Sequence, residues 1–301
     1  MDFAKNFDCL IIGGGPAGLT AATYLGRFHR RVLLVDAGQS RAQQIPESHN
    51  YPGFAEGISG PELLRELTRQ ARQYGADILH GTATNLVHAD NGFAATIDGR
   101  TITAPRVLLA TGLTDISPDM PGLQQAVART SIRYCPVCDA YEATDKAIVV
   151  FGAIKDAEAK ALFMRGYSNR VTLLPTDDAG DPDTRERLTA LGINLAASPP
   201  VDLRPEQDGI VVELRSGERL RFDVLYPVLG CDVRSDLATT LGARCNDVGC
   251  VVVDDKQRTT VANIYAAGDV VSDLHQLSVA AGHAAIAATA IHKSLPNNFR
   301  G

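Results

Sequence analysis

The segment Tyr134-Cys135-Pro136-Val137-Cys138-Asp139 holds two cysteines with two residues between them and an acid directly after the second. If the first turn of a helix begins there, this spacing lets the two sulfurs approach within disulfide range. A helix N-terminus lowers a thiol pKa, so one sulfur becomes a good nucleophile, and Asp139 is placed to pass a proton to a leaving thiolate. Cys135, Cys138 and Asp139 therefore read as a catalytic set. A zinc site would need two more ligands. Cys245 and Cys250 are the only other close cysteine pair, with looser spacing and more than a hundred residues away, so no metal is expected. Two merely buried cysteines would leave the Tyr-Cys-Pro context unexplained.

A second signature lies near the N-terminus, where Gly13-x-Gly15-x-x-Gly18 follows a short apolar run. The first glycine permits a tight turn, the second lets backbone approach a pyrophosphate at the positive end of a helix, and the third lets helix and strand pack closely. Asp36 follows Gly18 by eighteen residues, where a carboxylate would hydrogen-bond a ribose. A glycine turn can be purely structural, but with strand, helix and acid all in place nucleotide binding is the stronger reading. Three further segments join it: Asn50-Tyr51-Pro52-Gly53, Ala110-Thr111-Gly112 after the run Val107 to Leu109, and Ile264 to Asp269, which sets Gly268-Asp269 after a buried strand. Asp269 taken alone would serve as an N-cap for the next helix.

These residues need elements to hold them. Cys9 to Ile12 reads as a buried strand, Pro16 opens a helix running through Leu25, and Val32 to Asp36 is a second strand. Residues 147–174 repeat the unit: Gly152 stands to Val171 as Gly13 stands to Val32, an offset of 139 positions. A repeated βαβ unit predicts an α/β chain with two Rossmann-like parallel sheets, the second inserted into the first. Phe93 to Ile97 with Thr101 to Thr103, and Ile210 to Leu214 with Arg219 to Phe222, read as small meanders. A last helix spans about Gln276 to His292. With Ser117 to Gly122 and Gly230 to Val233 as linkers, the expected division is 1–116 plus 234–301 against 117–233. The composition fits a globular chain: 301 residues, 45% hydrophobic, 21% charged, net charge -6. That charge argues against nucleic-acid binding, and no apolar run is long enough for a membrane span. Six sparse cysteines and an N-terminus unlike a signal peptide point to a reducing cytoplasm.

Taken together, the fingerprint, Asn50 to Gly53, the cysteine pair and Gly268-Asp269 resemble the low-molecular-weight thioredoxin reductases over nearly the whole length. The resemblance implies FAD as cofactor. It implies 1–116 with 234–301 as the FAD-binding domain, and 117–233 as an NAD(P)H-binding-like domain carrying the redox pair. It places Gly13, Gly15, Pro16, Ala17, Gly18, Asp36, Asn50, Ala110, Thr111, Gly112, Gly268 and Asp269 around the cofactor, with Asp269 on its ribityl chain, and His275 with Gln276 against the flavin ring. Without the resemblance, His275 reads as a surface residue. The resemblance further implies that Cys138 lies against the flavin, that Cys135 exchanges with a substrate disulfide, and that the chain forms a homodimer.

The second fingerprint departs from the family. Gly152, Ile154 and Ala157 stand at the positions of Gly13, Gly15 and Gly18, and Ile154 puts a branched side chain where a pyrophosphate would lie. Pro175 stands at the position of Asp36, and Thr176-Asp177-Asp178 offers acids where a 2′-phosphate wants arginines. The expectation is an FAD-dependent dithiol/disulfide oxidoreductase without ordinary NADPH use. Its partners would be a thioredoxin-like protein or a small-molecule disulfide or dithiol, with a reduced electron-transfer protein as a possible donor. The alternatives are an NAD(P)H-dependent reductase with an atypical site, a dithiol oxidase passing electrons to oxygen, and a non-catalytic flavin sensor.

Overall fold

The computed structural model describes residues 6–177, 182–271 and 274–299. Asp178 and residues 1–5 of the N-terminus therefore lie outside the described residues.

Five strands form one parallel sheet in the order Ile264–Ala266, Val107–Leu109, Cys9–Ile12, Val32–Asp36, Asp77–His80. The central strand carries Cys9, Leu10, Ile11 and Ile12, all buried, as a strand covered on both faces must. One face packs on helices Pro16–Arg27, Gly60–Gln73 and Leu277–Ser294, with Ile11, Leu34, Leu25 and Ile291 in one core. The other face packs Leu10, Ile12 and Leu33 onto the meander Ala83–Ala89, Gly92–Ile97, Arg100–Ala104, whose Leu86, Phe93 and Ala95 point inward.

A second parallel sheet runs Ile193–Leu195, Val171–Pro175, Ile148–Gly152, Val224–Val228, with a second meander Pro200–Glu206, Gly209–Leu214, Arg219–Phe222. Cys9 pairs with Val32 and Ile148 with Val171, so the two units share the strand register that the offset of 139 positions predicts. The α/β class with two parallel sheets and antiparallel meanders is the observed architecture.

The last helix spans Leu277–Ser294, with Gln276 as its cap residue. The expected linker Gly230 to Val233 is not free coil. Cys231–Val233 pairs antiparallel with Leu113–Asp115, because the two chain crossings between the sheets run side by side and satisfy each other's backbone groups. Among the described residues no helix is long and apolar enough to cross a membrane.

Candidate active site

One cavity of about 460 Å³ starts at the glycine turn and ends at the cysteine pair, touching Gly13, Asp36, Arg41, Asp269, Gln276 and Cys138 along the way. Its size is that of a site for a cofactor-sized molecule.

The glycine turn is built by three different constraints. Gly13 has φ +119°, and a Cβ there would stand 2.1 Å from the carbonyl oxygen of Ala110. A Cβ on Gly18 would stand 1.9 Å from the carbonyl oxygen of Gly13, so helix Pro16–Arg27 can lie on the strand only with glycine at that position. Gly15 is different. Its φ is -80° and an added Cβ would meet only Ser40 Oγ, at 3.2 Å, in the space the cavity occupies. Packing does not require this glycine; a ligand approaching the backbone would. Pro16 and Ala17 follow in the first helical turn, and Ala17 limits Gly268, where a Cβ would come within 2.9 Å of its methyl.

Asp36 ends its strand and accepts a hydrogen bond from the Gly38 amide at 2.9 Å through Oδ1. Gly14, which the sequence reading passed over, makes this possible: a Cβ there would stand 2.4 Å from that same oxygen. Arg41 also goes unmarked in the sequence. It grips Asp115 with two hydrogen bonds of 2.5 and 3.0 Å and reaches Asp269 at 3.5 Å. Burial raises the Asp269 carboxyl, and Arg41 opposes that shift. Asp269 does not cap the last helix, which begins at Leu277. Thr111 Oγ1 donates to the Arg234 carbonyl at 2.6 Å, tying Ala110-Thr111-Gly112, with Gly112 at φ +68°, to the returning chain.

At the other end, Cys135 and Cys138 form a disulfide with Cα atoms 5.3 Å apart. Cys135 caps the single helical turn Pro136–Asp139, and the Cys138 amide donates to the Cys135 carbonyl at 2.9 Å. Gln276 Nε2 donates to both sulfurs, 3.3 Å to Cys135 and 3.2 Å to Cys138. Asn50 Nδ2 donates to Gln276 Oε1 at 3.0 Å and to the Val137 carbonyl at 3.3 Å. The Asn50 segment, the last helix and the cysteine pair thus meet at one point, with His275 lining the same cavity.

Asp139 is pushed up to about 6, chiefly by burial, with Arg133 and Tyr226 pulling the other way. A carboxyl titrating there can both give and take a proton near neutrality. Neither Arg133 nor Tyr226 stands out in sequence: Arg133 borders the cysteine segment without being part of its pattern, and Tyr226 lies in a strand 87 residues beyond Asp139.

The second turn is packed from within. A Cβ on Gly152 would come 2.4 Å from the Val228 carbonyl oxygen, Ile154 lies against the second sheet's core, and Ala157 is fully buried. Pro175 ends its strand, buried and paired with Gly152. Asp177 is exposed.

Residues 7–287 match the family described as pyridine nucleotide-disulphide oxidoreductase. The thioredoxin reductase of Aquifex aeolicus (strain VF5) is 30% identical over 310 residues, covering 97% of this chain and 94% of the relative. Among solved structures, HlmI superposes with a TM-score of 0.88 at 28% identity, covering 96% of this chain and 92% of that one. The oxidoreductase from Agrobacterium tumefaciens gives 0.86 at 30% identity, with 96% and 98% covered.

Proposed function

Since the chain belongs to the pyridine nucleotide-disulphide oxidoreductase family and is a thioredoxin reductase-like enzyme, we propose that it exchanges electrons between FAD, the Cys135–Cys138 pair and a substrate disulfide or dithiol, without ordinary NADPH use. The observation that carries this reading is the single cavity joining the ligand-facing Gly15 to the disulfide. In this reading residues 1–116 and 234–301 hold FAD and residues 117–233 carry the redox pair. Gly13, Gly15 and the helix start at Pro16 and Ala17 would hold the pyrophosphate, with Gly18 setting the helix close. Asp36 would hold the ribose and Asp269, behind Gly268, the ribityl chain. Asn50, Ala110, Thr111, Gly112, His275 and Gln276 would surround the ring. When bound, FAD supplies a two-electron store beside the pair.

The chain's own residues account for the exchange. With the pair reduced, the Cys135 thiolate attacks a substrate disulfide and one substrate sulfur leaves as thiolate. Asp139 gives that sulfur a proton. The Cys138 thiolate then attacks Cys135 Sγ, forming the intramolecular disulfide and releasing the second substrate sulfur. A dithiol substrate runs the same steps backwards. The Gln276 amide, donating to both sulfurs, favours whichever one carries negative charge.

The named relatives support a thioredoxin-like partner, and the short reach of the chemistry equally suits a small-molecule dithiol. Ile154 and Pro175 support a donor other than NADPH, either a dithiol or a reduced electron-transfer protein. A homodimer belongs to the same reading and would sediment at about twice the 32.1 kDa chain mass. The test is anaerobic addition of dithiothreitol to the yellow protein. Wild type should bleach, and Cys138→Ser should not. Equal bleaching of both would sink the proposal.

A further inference from the structure

Tyr226 sits on strand Val224–Val228 with no exposed surface, a position where a phenylalanine would pack as well. A buried phenol hydroxyl is costly without a partner. Its partner here is Asp139: Tyr226 Oη donates to Oδ1 at 2.9 Å and to the Asp139 carbonyl at 3.3 Å. Arg133, 8% exposed, faces the other oxygen, with Nη1 3.4 Å from Oδ2 and 3.2 Å from the Asp139 carbonyl. Its Nε is spent on the Thr130 carbonyl at 3.0 Å, and its backbone amide donates to the Leu225 carbonyl at 3.0 Å, one residue from Tyr226. One strand therefore anchors both groups. Glu142, in the turn after Asp139, is the remaining charged neighbour that acts on it among the described residues.

We infer that Tyr226 and Arg133 are positioning residues: Tyr226 holds the Asp139 carboxyl by Oδ1, Arg133 flanks Oδ2 at a longer distance, and Oδ2 carries the proton. The inference rests on Asp139 being the acid/base of the proposed exchange. The two contacts are not equivalent. At 2.9 Å the phenol makes a direct hydrogen bond that survives in either protonation state, because a protonated carboxyl still accepts through its carbonyl oxygen. Tyr226 itself is driven further from ionisation by burial and by Asp139, so it remains a donor throughout. The guanidinium has no lone pair and cannot accept a proton. Its contact with Oδ2 is a longer ion pair, which leaves room for that oxygen to be protonated with its O–H turned away from Arg133. The cycle balances: Oδ2–H gives its proton to the leaving thiolate, which becomes a thiol, and the carboxylate regains a proton from solvent. Both contacts favour the carboxylate, so each holds the titration of Asp139 below the value that burial alone would impose.

The test is a pH titration of the full-length flavoprotein labelled with ¹³C at the aspartate carboxyls, with Asp139→Asn identifying the signal. Tyr226→Phe and Arg133→Met should each move the Asp139 midpoint up by ~1 unit, and Arg133→Lys should restore most of it. The pH–rate profile for exchange between the prereduced pair and a small aromatic disulfide should move with the midpoint. Should Arg133→Met fail to fold, Tyr226→3-fluorotyrosine is the milder probe: the more acidic phenol should move the midpoint downward. Midpoints unmoved in Tyr226→Phe and in the fluorotyrosine protein would overturn the inference, even if activity fell. Loss of exchange in Asp139→Asn is a separate result, and its absence would overturn the acid/base role itself.

Discussion

Asp139 has a cost as well as a use. Its carboxyl titrates at about 6 in the fold, against an ordinary value of 3.8. Between those values the folded chain binds the extra proton, so stability falls as pH rises through that window and the full cost is present above it. Asp139→Asn cannot ionise. Its thermal stability relative to wild type should be nearly level at about pH 4 and higher by up to ~3 kcal/mol at about pH 8. Melting curves across that range check it; a constant difference would place the proton elsewhere. The same variant should lose most exchange activity, the usual trade of a strained site against stability. The sulfurs allow a count. Cys9, Cys231, Cys245 and Cys250 are not disulfide-bonded, so oxidised protein in denaturant should show four reactive thiols, and six after reduction. Finding six before reduction would leave no disulfide to reduce.

The three fingerprint glycines occupy one turn, and their substitutions should separate. Gly18→Ala drives a methyl into backbone, 1.9 Å from the Gly13 carbonyl oxygen, and should destabilise the fold by ~1–3 kcal/mol. At Gly15 an added Cβ meets only Ser40 Oγ, so Gly15→Val apoprotein should stay within ~1 kcal/mol of wild-type stability while FAD is lost from the purified protein. Flavin absorbance per chain and apoprotein melting, read together, decide this; Gly15→Val protein that keeps its flavin would show that the cavity is used differently. At this scale much was legible in sequence. Period and glycine spacing carry strand–helix–strand units, so both βαβ units and their shared register follow from residue types alone. Contacts between distant segments carry no such period. Gly14 matters only because Asp36 folds back beneath it, and Arg41 because Asp115 and Asp269 converge on it. The pairing of Cys231–Val233 with Leu113–Asp115 is likewise set by two crossings that meet only in space.

The whole molecule sets two matching turns with different residues side by side. At Gly15 an added Cβ would meet only Ser40 Oγ, whereas the matching Ile154 is half-buried against the core of the second sheet and Pro175 stands at the position of Asp36. We propose on this basis that the first unit takes the dinucleotide and that the second binds a nicotinamide poorly, for want of space and of a ribose acceptor. On that proposal the missing contacts, at ~1–3 kcal/mol each, should weaken nicotinamide binding by orders of magnitude. Cys135, Cys138 and Asp139 stand out in sequence as candidates because two cysteines and an acid are chemically distinctive, and the two sulfurs do form a disulfide, whereas Tyr226 and Arg133 are ordinary residues until the fold brings them to Asp139. The most direct test of the account is anaerobic stopped-flow mixing of the oxidised flavoprotein with a dithiol, with NADPH and with NADH, following flavin absorbance. The account predicts rapid reduction by the dithiol, dependent on Cys135 and Cys138, and slow or no reduction by either nicotinamide. Reduction by micromolar NADPH or NADH at turnover-like rates, ~10 per second, would contradict it and make the second unit a working nicotinamide site.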